Sequence, residues 1–458
     1  MDKETLKLGT EKISKLLFRF SMPAIIGMMI NALYNVVDRI FIGNAPNVGL
    51  DGLAGLTIAF PIMIIFLAIA ILFGIGGATL YSIRLGEGNR DGARLVLGNS
   101  LVFLVITSLI LMILGQIFLK PMLIAFGASS NVLPYAMSYM RVILYGALFQ
   151  IVSMGMNNFI RADAKPQLAM ITMFIGAITN IVLDALFIYG FGMGMEGAAL
   201  ATIIAQAFSM IWTLIYFFRK STVNRIRLID LKPQISIFVS VVSYGIPGFL
   251  LQLSNSILNL TINKTLLEQG GDNAVSAMGI INSVQTFVLM PIFGLNQGVK
   301  PIVSYNFGAK KFDRIKLTMK YANITATIIA VIGWALTRFF PEQIVSIFNQ
   351  DPALLEVGRH AIYAWFWALP LVGFQVMASN YFQSVGHNKT AIFLTLTRST
   401  LLLLPAVILF AKFWGLEGVL YAAPFADFTA VIITSVWYYF GIKSLEKYAL
   451  KKELVLKE

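Results

Sequence analysis

Residues 52–83 read GLAGLTIAFPIMIIFLAIAILFGIGGATLYSI, 32 positions without a single Asp, Glu, Lys or Arg. At ~1.5 Å of rise per helical residue, about 20 apolar residues cross the ~30 Å hydrocarbon layer of a bilayer. This stretch is long enough to span a membrane, and the composition around it shows that it has company. Of 458 residues, 58% are hydrophobic and 12% charged. A soluble domain carries about 25% charged residues to coat its surface. The chain has no cysteine, which excludes a disulfide framework, thiolate metal ligation and cysteine nucleophiles together.

Further runs free or nearly free of charge cover 20–37, 95–119, 121–140 with 142–160, 166–183, 197–218, 233–263, 273–299, 321–337 and 360–388. Two more, 390–411 and 418–442, qualify apart from Arg398 and Asp427. The expected fold is an all-α integral membrane protein with twelve transmembrane helices. Met1–Ser14 is polar and lacks the apolar core and small-residue cleavage site of a signal peptide, so the first helix is expected to stay in the mature chain. With the N-terminus inside, the inner segments hold 27 Lys and Arg, and the outer loops hold Lys120, Lys264, Arg338, Arg359 and Lys412. That asymmetry places both termini in the cytoplasm. It also explains the net charge of +13 as membrane sidedness, so no nucleic-acid partner is expected.

The two halves of the chain echo each other. Pro23, Asn31 and Asn35 recur at Pro247, Asn255 and Asn259, offset by 224; Phe126 and Asn158 recur at Phe348 and Asn380, offset by 222; Glu196-Gly197 recurs at Glu417-Gly418, offset by 221. Six helices per copy is an even number, so the repeats are parallel and related by an axis along the membrane normal. The expected organisation is a six-helix bundle at 1–218, a cytoplasmic linker at 219–235, a second six-helix bundle at 236–442 and a cytoplasmic tail at 443–458. The two bundles are expected to be pseudo-symmetric about a central cleft, with transport by rocking of one against the other.

No GxxxxGK[ST] loop, HExxH motif or hydrolytic triad occurs, so an enzyme is not expected, and uphill transport would draw on an ion gradient. His387 falls in an inner loop and His360 near the outer end of helix ten. Most of the 22 acids fall in loops and tails. Carboxylates inside a membrane span are costly and point to function. Asp38 lies a little over one turn from the outer end of helix one. Asp184 lies at a similar level in helix five, with Asn180 one turn deeper on the same face and Thr202 about two turns into helix six. These hard oxygen donors suit Na⁺, and the two carboxyls could alternatively share a proton. In the second half the matching positions are Ile262, Leu401 or Leu402, Pro405 or Ala406, and Ala423, none of them polar. A coupling-ion role fits that asymmetry better than polar contacts shared by both bundles. Arg398 and Asp427 each lie about nine positions into helices eleven and twelve, near the midplane, and could form an ion pair.

Short motifs in fixed order carry a family resemblance. They include Ser21-Met22-Pro23, Val37-Asp38 with Ile42-Gly43, Arg84-Leu85-Gly86-Glu87-Gly88-Asn89 with its echo Asn306-Phe307-Gly308-Ala309-Lys310-Lys311, Gly194-Met195-Glu196-Gly197-Ala198, and Phe348-Asn349-Gln350-Asp351-Pro352. The chain resembles the MATE (multidrug and toxic compound extrusion) transporters over nearly its whole length, most closely the MepA-like bacterial branch. The resemblance implies a secondary active multidrug exporter, antiporting bulky and often cationic organic compounds against Na⁺ or H⁺ by alternating access. It implies no cofactor beyond the coupling ion, a multi-pass bacterial inner-membrane location in contact with lipid, and a monomer. Family members with a first-half ion site use positions matching Asp38, Asn180, Asp184 and Thr202. Another branch carries a glutamate in helix seven and an aspartate in helix ten; 236–263 and 360–388 here hold no acid, and Asn255 stands near the glutamate position. Substrate is expected to meet Tyr34, Met63, Gln150, Met154, Asn157, Gln252, Asn255, Asn282 and Gln285 across the cleft, where polarizable groups suit varied cations. The alternative is a flippase for lipid-linked saccharides; its groove should hold several bases, and the intramembrane bases here are essentially Arg39, Arg141 and Arg398.

Overall fold

The computed structural model describes residues 3–45, 48–220, 222–348 and 352–455. Asn349, Gln350 and Asp351 of the motif before helix ten, and the last three residues of the tail, lie outside the described residues. A short helix, Lys3–Lys7, precedes α1 (Ile13–Gly43). It is followed by α2 (Gly49–Gly86), α3 (Arg90–Ala125), α4 (Leu133–Tyr145 and Ala147–Ala162, bent by 57°), α5 (Pro166–Asp184, prolonged by a π turn over Ala185–Gly190) and α6 (Gly194–Phe218). The second half continues with α7 (Ile235–Gly271), α8 (Ala274–Gly308), α9 (Phe312–Phe339) and α10 (Leu355–Trp365 and Leu369–Ser384, bent by 48°). The stretch Asn388–Leu445 is broken at Gly415, whose φ of 57° ends α11 (388–414) and lets α12 (416–445) begin. Among the described residues, nine apolar stretches and two bent pairs make eleven, and the break at Gly415 makes twelve spans, as the charge-free runs predict.

The chain forms two compact units. One holds Ile26–Phe249 together with residues up to Leu8; the other holds Gly9–Ile25 and everything from Leu250 onward. The sequence reading puts the division at 219–235, whereas the units part inside α1 and α7, after Ile25 and Phe249. Those two positions are 224 apart, the repeat offset itself. The physical reason is close packing at small residues. In the first unit a Cβ on Gly245 of α7 would stand 1.9 Å from the Leu72 carbonyl oxygen of α2, and one on Gly76 would meet Gly245. In the second unit, Gly298 of α8 packs in the same way against Ser21 of α1, its added Cβ 2.7 Å from the Ser21 backbone. Gly76 and Gly298 are repeat mates, 222 apart. Without a hydrophobic drive between helices in lipid, such backbone approaches are what holds spans together.

The helix faces are inverted relative to a soluble protein. On α5, Ile178 and Val182 are 58% and 59% exposed, while Asn180 and Asp184 are 2% and 0% exposed. The apolar face meets lipid and the polar face is turned into the bundle, which requires the buried polar groups to find partners within the protein.

Candidate ion-coupling site

The site lies wholly within the first unit, and four helices build it. Gly27 lets α1 approach α5, since a Cβ there would be 2.6 Å from Met173 Sδ. One turn beyond the acids, the Tyr189 hydroxyl donates to the Phe41 carbonyl at 3.0 Å, and the two rings meet edge to face at 5.7 Å. This staple holds the C-terminal ends of α1 and α5 in register. It brings the Asp38 and Asp184 carboxyls within hydrogen-bonding reach of each other.

Two carboxylates are both acceptors, and the amide and hydroxyl of Asn180 and Thr202 are engaged with each other and with the backbone. Asn180 Nδ2 donates to Thr202 Oγ1 at 3.3 Å, and Thr202 Oγ1 donates to the Ala198 carbonyl at 3.0 Å. The Tyr139 hydroxyl, on the first limb of α4, approaches Thr202, and Tyr34 lies on α1 one turn from Asp38. Among the described residues, Asp38 Oδ1, both oxygens of Asp184 and Asn180 Oδ1 are buried and meet no hydrogen-bond donor. Adjacent ionised carboxylates in a dry interior repel, and each buried acceptor left bare costs about 1–3 kcal/mol. A proton between the carboxyls or a small cation among the four oxygens relieves both. No group of three or more His, Cys, Asp or Glu that could hold a metal occurs among the described residues. Two carboxyls with neutral oxygens form a donor set for a monovalent ion or a proton. The π turn directly after Asp184 is the kind of helix irregularity often found at functional sites.

The four ion-site candidates from the sequence therefore come together. Tyr34, expected on the substrate surface, lies beside this cluster, and Tyr139 joins it without having been singled out. The remaining substrate candidates divide between the two units. Gln150 and Met154 share one half-buried face of α4, one turn apart, and Met63 is half-buried on α2. Asn157 is a correction: it is 5% exposed and donates to the Ala169 carbonyl at 2.9 Å, locking α4 to the start of α5 rather than facing a cleft. Gln252, Asn255, Asn282 and Gln285 belong to the second unit; Asn282 is exposed, and Gln285 accepts the Trp365 indole N–H at 3.0 Å. Also in the second unit, Arg398 Nε donates to Asp427 Oδ1, joining the π turn of α11 to α12. His360 Nε2 contacts Glu417 Oε2 at 2.9 Å, joining α10 to the start of α12.

A family model described as MatE matches residues 23–186 and 247–409, once in each half. The chain belongs to the MatE family. It is 26% identical over 426 residues, 93% of each chain, to the multidrug export protein MepA of Staphylococcus haemolyticus, and 25% identical over the same length to MepA of Staphylococcus aureus strain NCTC 8325. Among solved structures it is similar to an outward-facing multidrug resistance MATE family transporter of the MOP superfamily, with a TM-score of 0.91, 26% identity and coverage of 98% of this chain and 99% of that one. A MOP superfamily transporter from Pyrococcus furiosus, described as having a binding pocket of reverse polarity that suggests a different function, superposes with a TM-score of 0.91, 26% identity and coverage of 97% and 99%. The matched segments of the family model begin at Pro23 and Pro247, the same repeat offset of 224 seen in the MatE chain itself.

Proposed function

We propose that this MatE protein is a secondary multidrug exporter that moves bulky organic, often cationic, compounds out of the cell in exchange for Na⁺ or H⁺, with Asp38, Asn180, Asp184 and Thr202 as the coupling site. The observation that carries this reading is the pair of facing carboxyls with four buried oxygens lacking donors. The restriction of these polar groups to one half of a duplicated chain supports an ion role over a scaffold role. Likeness to staphylococcal MepA supports drug export, and the sparse intramembrane bases give the flippase alternative no comparable support. The protein is a multi-pass membrane protein; the bias of basic residues toward one side supports cytoplasmic termini in the bacterial inner membrane, a monomer being sufficient for the site. Expression in a drug-sensitive bacterium tests the reading. Tolerance of an organic cation such as ethidium should rise, and an unchanged tolerance across several cationic dyes, with the protein present in the membrane, would refute export.

A further inference from the structure

The segment between α6 and α7 is fastened to the first unit rather than hanging free. On α3, the Asn99 side chain accepts the Gln234 backbone N–H at 2.7 Å and donates to the Asp230 and Lys232 carbonyls, each at 3.1 Å. Beside it, a Cβ on Gly98 would stand 2.3 Å from the Asp230 carbonyl oxygen, so the two backbones touch. Asp230 is buried and closes the short turn Leu228–Leu231 by accepting the Arg227 backbone N–H at 3.0 Å and its guanidinium at 3.1 Å. Further back, Asn224 donates to the buried Asp163 carboxylate at 2.7 Å.

The depth of this attachment matters. Gly98 and Asn99 lie within the charge-free run 95–119, four and five residues past Arg94. That is roughly 6–8 Å further along the helix. A membrane boundary drawn at the start of that charge-free run puts the pinned turn level with it. Its outward face carries Leu228 at 83% and Ile229 at 62% exposure. In the same segment of chain are Arg219, Lys220, Arg225 and Lys232, all exposed and none in a salt bridge among the described residues. Arg227, the one paired base of the segment, is the one that holds the turn's shape.

The geometry points to an anionic-phospholipid docking surface on this linker, Leu228 and Ile229 entering the acyl boundary and the four bases binding headgroup phosphates of the inner leaflet. Exposed aliphatic side chains flanked by bases are the composition of a segment that rests in the interface. A protein partner would cover the aliphatic pair equally well, but it would leave the four like charges of the segment without a role. Only the assignment to the inner leaflet rests on the orientation proposed above.

The test is lipid retention by the full-length protein. The protein is placed in nanodiscs of equal parts phosphatidylcholine and phosphatidylglycerol, and the lipids that remain bound on extraction are counted by native mass spectrometry. Phosphatidylglycerol should be enriched. Each base near an anionic surface strengthens attachment roughly fivefold, so Arg219→Gln, Lys220→Gln, Arg225→Gln and Lys232→Gln together should cut the enrichment at least tenfold. The charge-keeping pair Arg219→Lys and Arg225→Lys should retain it, which separates loss of charge from loss of fold. Equal retention of the two lipids by the unmodified chain, enrichment undiminished in the quadruple variant, or photo-cross-linking from position 228 to a second copy instead of lipid would each overturn the proposal. None of these readouts depends on export, so they decide it whatever the substrate proves to be.

Discussion

Asp38 of α1 and Asp184 of α5 face each other within hydrogen-bonding reach, and neither oxygen of Asp184 meets a donor among the described residues. Neighbouring carboxyls of this kind are stabilised by a proton or a cation between them. Converting either acid to its amide supplies a donor to the other. Asp38→Asn and Asp184→Asn should therefore melt at or above the temperature of the unmodified protein, a hydrogen bond adding about 0.5–1.5 kcal/mol, while each abolishes resistance in a sensitive host. Full resistance in both variants would remove these residues from coupling.

The neutral oxygens should tune rather than abolish ion binding. Thr202→Ala removes one oxygen and the partner of Asn180, bonded at 3.3 Å. Losing one contact worth about 1 kcal/mol raises the ion concentration for half-maximal transport roughly fivefold, with the maximal rate kept. Ion-titrated uptake in vesicles measures this; an unchanged half-saturation point would place Thr202 outside the site.

Arg398 and Asp427 bond α11 to α12, with Asp427 4% exposed. Asp427→Ala leaves the half-buried Arg398 guanidinium without its partner and should cost about 1–3 kcal/mol, read as a fall in thermal stability in detergent. Exchanging the two charges should recover much of that loss. A swap no more stable than the single variants would argue that each residue has a separate partner.

Stability near the end of α4 should depend on pH through Asp163. It accepts the Tyr81 hydroxyl at 2.6 Å, the Tyr216 hydroxyl at 2.5 Å and the Asn224 amide at 2.7 Å. Burial pushes its carboxyl above the ordinary carboxylate value and outweighs these donors and nearby Lys165. The fold then holds the proton more tightly than the unfolded chain does. Its contribution is fully present below the unfolded value, about 3.9, and is lost as pH rises through the higher folded value. Between those limits the unmodified protein should lose stability relative to Asp163→Asn as pH increases, measured by thermal melts across a pH series. A parallel pH dependence in both proteins would contradict the shift.

Much of this was legible in the residues, because membrane spans and duplication leave linear traces. Charge-free runs mark the helices, and the 224 offset of Pro23 and Pro247 marks the repeat. Asp38, Asn180, Asp184 and Thr202 stood out because polar groups are rare in such runs and their repeat mates are apolar. Tyr139 was hidden for the opposite reason: a tyrosine is unremarkable in a span, and only the packing of α4 against α6 turns it toward Thr202. Asn157 misled because helical position alone does not say which face meets a neighbouring helix, and Ala169 claims its amide. Asp163 looked like an ordinary loop acid until Tyr81, Tyr216 and Asn224, distant in sequence, converged on it. The parting of the units inside α1 and α7 depends on glycine contacts such as Gly76 with Gly245, which no linear pattern of charge reports.

The most direct test of coupling is transport of an organic cation by proteoliposomes with Na⁺ and pH gradients imposed separately, on the unmodified chain and on Asp38→Asn with Asp184→Asn combined. The expected result is movement driven by at least one gradient in the unmodified chain and by neither in the variant. Transport indifferent to both gradients in the unmodified chain, or gradient-driven transport surviving in the variant, would contradict coupling through this pair.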